Sequence, residues 1–391
     1  MLFTHKSCIF DAKEIMYIAR TTEKYLLERL INKKKISVIY GARQTGKTTI
    51  AKRIIELSNL KTLSINSDLY DYFEYFEKPN LQDLKGLLSG YELLYIDEAQ
   101  EFPNVGKILK IIYDEFKSIK VLVTGSSSFS LSSSISEPLT GRKTEYLLFP
   151  FSLQEIKSDK NIVELKQTVK TMLIYGSYPD VFLEDNFSEK QENLLEITRS
   201  YLYKDLLTLA TIKNPHKLKQ ITKLLAYQIG SPVSINELAK NTSLSSETVE
   251  RYLDLLEKSF VIFRLSGFAS NMRKTIRKQD KFYFYDLGVR NAVIENFKDI
   301  DQRNDKGQLW ENFVILEMRK KINNNRILAS QHFWRTYDGA EIDLVEQKQE
   351  DIYAYEIKYN KTRNKPPMSW SENFENYIFH TITINNFYKF F

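Results

Sequence analysis

The chain of 391 residues has little of what builds cross-links and metal cages. Its single cysteine, Cys8, excludes an internal disulfide and a cysteine-rich zinc site. The four histidines, His5, His216, His332 and His380, are too scattered for a histidine-built metal centre. With Gly 13 and Pro 9, there is no room for a collagen-like stretch or a long flexible linker. No run approaches the roughly 18 apolar residues that span a membrane. The first residues, MLFTHKSCIFDAKE, lack an apolar core of signal-peptide length. No internal repeat or low-complexity tract is found. These absences predict a soluble, cytoplasmic protein with no membrane partner.

What remains is globular in composition, with 42% hydrophobic and 27% charged residues. This length suits two or three domains. A net charge of +6 allows contact with nucleic acid without requiring it.

Residues 15–32 carry helical periodicity, with Ile18, Leu26, Leu27, Leu30 and Ile31 mostly on one face. Short apolar strands are predicted at 37–40, 62–65, 93–96 and 121–124, with helices at 47–57 and 105–116 among them. That alternation predicts an α/β, parallel, doubly wound sheet. Between the first strand and helix lies GARQTGKTT, which matches G-x-x-x-x-G-K-[ST] from Gly41 to Thr48. Phosphate oxygens need several backbone N–H groups converging at a helix N-terminus, and glycine lets the backbone come that close. The expected nucleotide cradle is Gly41, Ala42, Arg43, Gln44, Thr45, Gly46, Lys47, Thr48 and Thr49. In it Lys47 neutralises the β- and γ-phosphates of ATP, and Thr48 ligates Mg²⁺.

The segment ELLYIDEAQ reads as a buried strand delivering Asp97 and Glu98 at its C-terminal end, where such sheets bind ligands. Asp97 is the expected Mg²⁺ partner, and Glu98 the residue that orients or deprotonates the attacking water. Thr124 and Ser126 end the next strand and are candidates to sense the γ-phosphate, an ordinary capping role being the other reading. Arg142 is the candidate γ-phosphate-contacting arginine. Hydrolysis across a subunit interface would need an arginine finger, from Arg142 or Arg199, which leaves a homo-oligomer open.

Residues 188–259 are mostly helical, and three helices followed by the strand signal VIFRL follow the order of a winged helix-turn-helix. The last of these helices, 245–259, carries Glu247, Glu250, Asp254 and Glu257 against Arg251 and Lys258, which suits phosphates poorly. The flanking Arg264, Arg273, Lys274, Arg277 and Lys278 are more favourable. DNA contact and a plain helical lid both stay open. Beyond residue 281 the pattern becomes α+β, with a helix at 309–321 and strands at 332–337, 340–346 and 352–359. There EIDLV and YEIKY place Asp343, Glu356 and Lys358 where alternate residues on neighbouring strands share a face. Two carboxylates converging there would hold Mg²⁺, and a lysine beside them would activate water for phosphodiester hydrolysis. Glu311 is a further candidate carboxylate for the metal, and Glu341 shares the face of Asp343.

Taken in order, GARQTGKTT, LLYIDEAQ, VLVTGSSS, LTGR with FPFSLQE, YGSYPDVF, YFYDLGVRNAV, GQLWENFVILEM and the EIDLV…YEIK pair resemble a prokaryotic family of AAA-type ATPases with a C-terminal domain of unknown function. The resemblance covers residues 17–361. It implies a P-loop AAA-type ATPase domain, a winged helix, and a C-terminal restriction-endonuclease-like fold of the PD-(D/E)xK type. It puts Asp343, Glu356 and Lys358 on that fold's metal and catalytic positions, and Glu311 on its helical acid. No proline precedes Asp343, a departure that decides little. The expected segments are a helical lead at 1–35, the ATPase domain at 36–187, a lid and winged helix at 188–270, and the nuclease-like domain at 271–391. Two readings follow: an ATP-dependent protein acting on nucleic acid, or a nucleotide-driven switch whose nuclease-like domain does not cut.

Overall fold

A computed structural model describes residues 17–67, 70–125, 138–157, 160–200, 214–268, 279–361 and 363–391. Five strands, β1 (Ile36–Tyr40), β2 (Thr62–Asn66), β3 (Leu93–Asp97), β4 (Lys120–Gly125) and β5 (Lys143–Leu147), form a sheet in the order β2-β3-β4-β1-β5. All its pairings are parallel, with Val38 opposite Val123 and Ile96 also opposite Val123. Every strand therefore ends on the same edge, and the loops leaving β1, β3 and β4 meet there.

Both faces of the sheet are apolar, as burial on both sides demands. Leu93, Tyr95 and Leu122 pack under helices Glu23–Asn32 and Lys47–Ser58 through Leu26, Leu30, Ile50 and Ile54. Val38, Leu94, Ile96 and Val123 pack under helices Leu81–Leu88 and Val105–Glu115 through Leu84, Ile108 and Leu109. The helix expected over 15–32 is shorter, because residues 17–20 are not helical and the helix begins at Glu23. β5 is an addition to the expected strands. Its sequence KTEYL buries only Tyr146, as an edge strand can, so it gave no apolar signal.

Helices Ile162–Tyr175 and Phe187–Arg199 lead into three more: Pro215–Tyr227, Ile235–Thr242 and Ser246–Lys258. Side-chain caps fix several starts, with Ser234 Oγ accepting from Glu237 N and Ser245 Oγ from Thr248 N. A two-stranded antiparallel ribbon follows, β6 (Ile262–Leu265) with β7 (Lys281–Phe284). The basic residues Arg273, Lys274, Arg277 and Lys278 lie outside the described residues, as does Ser126.

Helix Lys306–Asn324 comes next and is buried on nearly every side, including Trp310, Phe313, Glu317 and Lys320. It packs on a second sheet of β8 (Ser330–Arg335), β9 (Glu341–Lys348), β10 (Asp351–Ile357) and β11 (Tyr377–Ile382), in the order β11-β10-β9-β8. β8, β9 and β10 run antiparallel, and β10 and β11 parallel. β11 was not among the expected strands.

Candidate functional site

The loop between β1 and helix Lys47–Ser58 is shaped by two glycines. Gly41 lies at φ +152°, and a Cβ there would stand 2.3 Å from the Leu148 carbonyl oxygen, so only glycine fits. Gly46 caps the helix in the left-handed region at φ +88°. Ala42, Thr45 and Lys47 are buried within the loop, while Arg43, Gln44 and Thr49 lie at its exposed surface. Lys47 Nζ donates to the carbonyls of Ala42 (2.8 Å) and Gly41 (3.3 Å). Burial lowers its pKa to about 8, against the pull of the Glu98 and Asp97 charges.

The acidic pair stands beside it. The Thr48 hydroxyl donates to both Asp97 carboxylate oxygens at 3.1 Å, and Tyr95 Oη donates to Asp97 Oδ1 at 2.7 Å. Thr124 Oγ1 donates to the same oxygen and accepts from Glu98 N at 3.0 Å. Asp97 therefore gathers hydroxyls from the loop helix, its own strand and the neighbouring strand. Glu98 follows in left-handed backbone and accepts from Gln100 Nε2 at 2.6 Å.

Sequence reasoning passed over Arg20. Its buried guanidinium donates to the Thr45 carbonyl (3.0 Å), the Phe149 carbonyl and Glu155 Oε1 (3.2 Å). It thereby ties the phosphate loop to the FPFSLQE segment. Tyr95 was also missed, although the period-two face of β3 that it shares with Asp97 was available as a signal.

Arg142 requires a correction. Its carbonyl accepts from Ile36 N, and Lys143 pairs with Ile36 while Leu147 pairs with Tyr40. Arg142 thus stands at the opposite edge of the sheet, roughly 16 Å from the loop at about 3.3 Å per residue. There it pairs with Asp114 at 3.0 Å. It cannot meet a nucleotide in its own chain. Arg199 ends its helix exposed to solvent.

A second constellation lines a cavity of about 670 Å³ between the ribbon, helix Lys306–Asn324 and the second sheet. Asp343 Oδ2 accepts from Ile357 N (2.7 Å) and Lys358 Nζ (3.1 Å), and Glu356 Oε1 lies 3.1 Å from the same ammonium and 3.7 Å from Arg363. Burial and the neighbouring Asp343 charge raise the Glu356 pKa, with Lys358 opposing. Glu356 Oε2 is buried with no hydrogen-bond partner. Two converging carboxylates with an orphaned oxygen fit a divalent cation.

Glu311 lines the same cavity but does not join them. Its Oε1 accepts from Lys281 Nζ (3.0 Å) and Tyr283 Oη (2.6 Å). Lys281, almost wholly buried, also pairs with Glu341. Burial alone would lower the Lys281 pKa, but the charges of Glu311 and Glu341 hold it above the ordinary lysine value. Among the described residues no three acidic, histidine or cysteine side chains are placed to hold one metal. The expectation of Glu311 as a metal ligand is therefore corrected: an internal ammonium already compensates it.

Residues 33–157 match the AAA domain. Two further models match in sequence after it: a domain of unknown function (DUF8612) over residues 166–300, and another (DUF4143) over 306–382. An uncharacterized protein of Methanocaldococcus jannaschii is 29% identical over 390 residues, covering 91% of this chain and 82% of its own. One from Mycobacterium tuberculosis is 26% identical over 351 residues, covering 89% and 75%. A solved Walker-type ATPase of Pyrococcus abyssi is 17% identical, covers 71% of this chain and 96% of its own, and has a TM-score of 0.49. The chain thus carries an AAA-type P-loop domain on an α/β fold. Among the described residues no helix is long and apolar enough to cross a membrane.

Proposed function

We propose that the AAA domain binds and hydrolyses ATP and that the C-terminal cavity is a nuclease-like site acting on nucleic acid. The observation that carries the first half is the Asp97 carboxylate, which gathers Thr48, Tyr95 and Thr124 beside Lys47. Thr48 and Asp97 would hold Mg²⁺, which supplies charge neutralisation on the phosphates when bound. Lys47 binds the β- and γ-phosphates. Glu98 takes the role of orienting and deprotonating the attacking water, with Gln100 holding its carboxylate and Thr124 its backbone.

The second half rests on Asp343, Glu356 and Lys358 meeting in one cavity. The helix, three antiparallel strands and a parallel fourth agree with the restriction-endonuclease-like reading, and the three helices with their ribbon agree with a winged helix. Asp343 and Glu356 would hold a divalent cation that lends charge to a scissile phosphate, and Lys358 steadies the water or the phosphate. DNA is the proposed partner, with a homo-oligomer in which Arg199 or Arg142 reaches a neighbouring chain's nucleotide. The test is cleavage of plasmid and single-stranded DNA with Mg²⁺ or Mn²⁺, with and without ATP. Cleavage in the wild type, lost in Asp343→Ala and dependent on Lys47, is expected. No cleavage with ATP turnover intact rejects the nuclease half.

One observation favours a second reading. Lys281 already neutralises Glu311 and Glu341, which suits a domain that binds without cutting. In that nucleotide-driven switch, Lys358→Ala leaves function intact while Lys47→Ala abolishes it. Equal loss from both would sink the switch.

A further inference from the structure

A second cavity, of about 650 Å³, lies where the AAA domain, the ribbon and helix Lys306–Asn324 meet. Its described lining contains Arg264, Arg319 and Arg326 and no carboxylate. The carboxylate cavity is different in kind, since its acids and bases are mixed. Arg264 is already paired with Glu257 and Asp280. Arg319 and Arg326 are not: among the described residues neither meets a carboxylate. Arg319 stacks on Phe263 at 4.7 Å and bonds to Tyr285. Arg326 lies over Tyr146 at 4.6 Å and donates to the Glu145 carbonyl. Stacking and single bonds hold the two guanidiniums in place while leaving donors of each fork unspent. Beside them His332 Nδ1 is buried without a hydrogen-bond partner, and burial lowers the pKa of that ring. The floor is aromatic, with the Phe149 and Tyr285 rings 5.7 Å apart.

Planar guanidinium forks with charge to spare suit phosphate oxygens, and an aromatic floor suits a base or sugar. We infer that this cavity is a second, P-loop-independent site for a phosphate-bearing ligand, either a free nucleotide or the backbone of a nucleic-acid strand. Arg319 and Arg326 hold its phosphate. This does not depend on the carboxylate cavity cutting anything.

The test uses the full chain carrying Lys47→Ala, so that the P-loop competes little. Fluorescently labelled ADP and a labelled short single-stranded oligonucleotide are titrated separately by anisotropy. Binding of at least one probe, weakened tenfold or more when Arg319→Gln and Arg326→Gln are added, is expected. ADP alone names a free nucleotide as the source, and the oligonucleotide alone names a strand. Should Arg319→Gln fail to fold, Arg326→Gln at its exposed position carries the test, with at least threefold weakening expected. Binding of neither probe, or binding indifferent to both arginines, overturns the inference.

Discussion

Lys47 combines two demands that conflict. It must be charged to meet phosphates, yet it is buried in the loop, and burial pulls its pKa down to about 8. Nucleotide binding uses the ammonium form, so affinity holds below that value and is lost above it. The apparent dissociation constant of ATP should rise about tenfold between pH 7 and pH 9. Lys47→Arg, whose group stays charged throughout, should give a flat profile even if binding is weaker. A flat wild-type profile would remove the pKa argument. Arg20 makes the complementary case. Replacing it with glutamine leaves Glu155 buried without its counter-charge and two carbonyls without donors. The expected cost is about 3–5 kcal/mol in urea unfolding, together with weaker ATP binding. A loss below about 1 kcal/mol would mean that the clamp is not formed in solution. The contrast shows what a sequence discloses about residues. Lys47, Thr48 and Asp97 were legible because loop, strand and helix are contiguous and each residue type answers a phosphate or a metal. Arg20 was not, since its partners stand 25 and more than 100 residues away and a lone arginine has no period.

Helix Lys306–Asn324 does more than cover the second sheet. Near its start Glu311 faces the carboxylate cavity, and in its last turns Arg319 lines the arginine cavity. Flanking Arg319, Glu317 and Lys320 form a buried pair at 2.8 Å that also reaches across to the AAA segment. Glu317 accepts from Leu153 N at 2.6 Å, and Lys320 donates to the Phe151 carbonyl at 2.8 Å. Breaking one member leaves the other charged and unpaired, which costs more than removing both. Lys320→Met should therefore destabilise the chain by about 3–5 kcal/mol, and the Glu317→Leu, Lys320→Met double variant by less than the sum of the single changes. Additive losses in urea unfolding would show that the pair is not coupled. The helix itself was expected, at 309–321, and the structure extends it to Lys306–Asn324. Its charged interior was not, because the partners come from residues 151–153 and no local pattern points there. Arg142 was misplaced for the same kind of reason. It was the expected γ-phosphate-contacting arginine, but β5 was not among the expected strands, and only the direction of β5 shows which edge Arg142 occupies.

Across the whole molecule these contacts form a continuous path. Thr45 in the phosphate loop is held by Arg20, which also holds Phe149 and Glu155, and Phe151 and Leu153 in the same segment are held by Lys320 and Glu317. The helix carrying that pair also carries Glu311 into the carboxylate cavity. A buried, fully bonded path between two sites is the arrangement through which occupancy of one can bias the other, but adjacency alone does not establish coupling. The discriminating experiment is hydrogen exchange of the full chain with and without a non-hydrolysable ATP analogue. Nucleotide should slow exchange in residues 306–324 as well as in the phosphate loop. Lys320→Met, which touches neither cavity, should abolish the distant slowing while changing nucleotide affinity by less than about twofold, or roughly 0.4 kcal/mol. If nucleotide protects only the loop in the wild type, the path is a brace for the fold, and ATP acts on the C-terminal half through assembly with other chains instead.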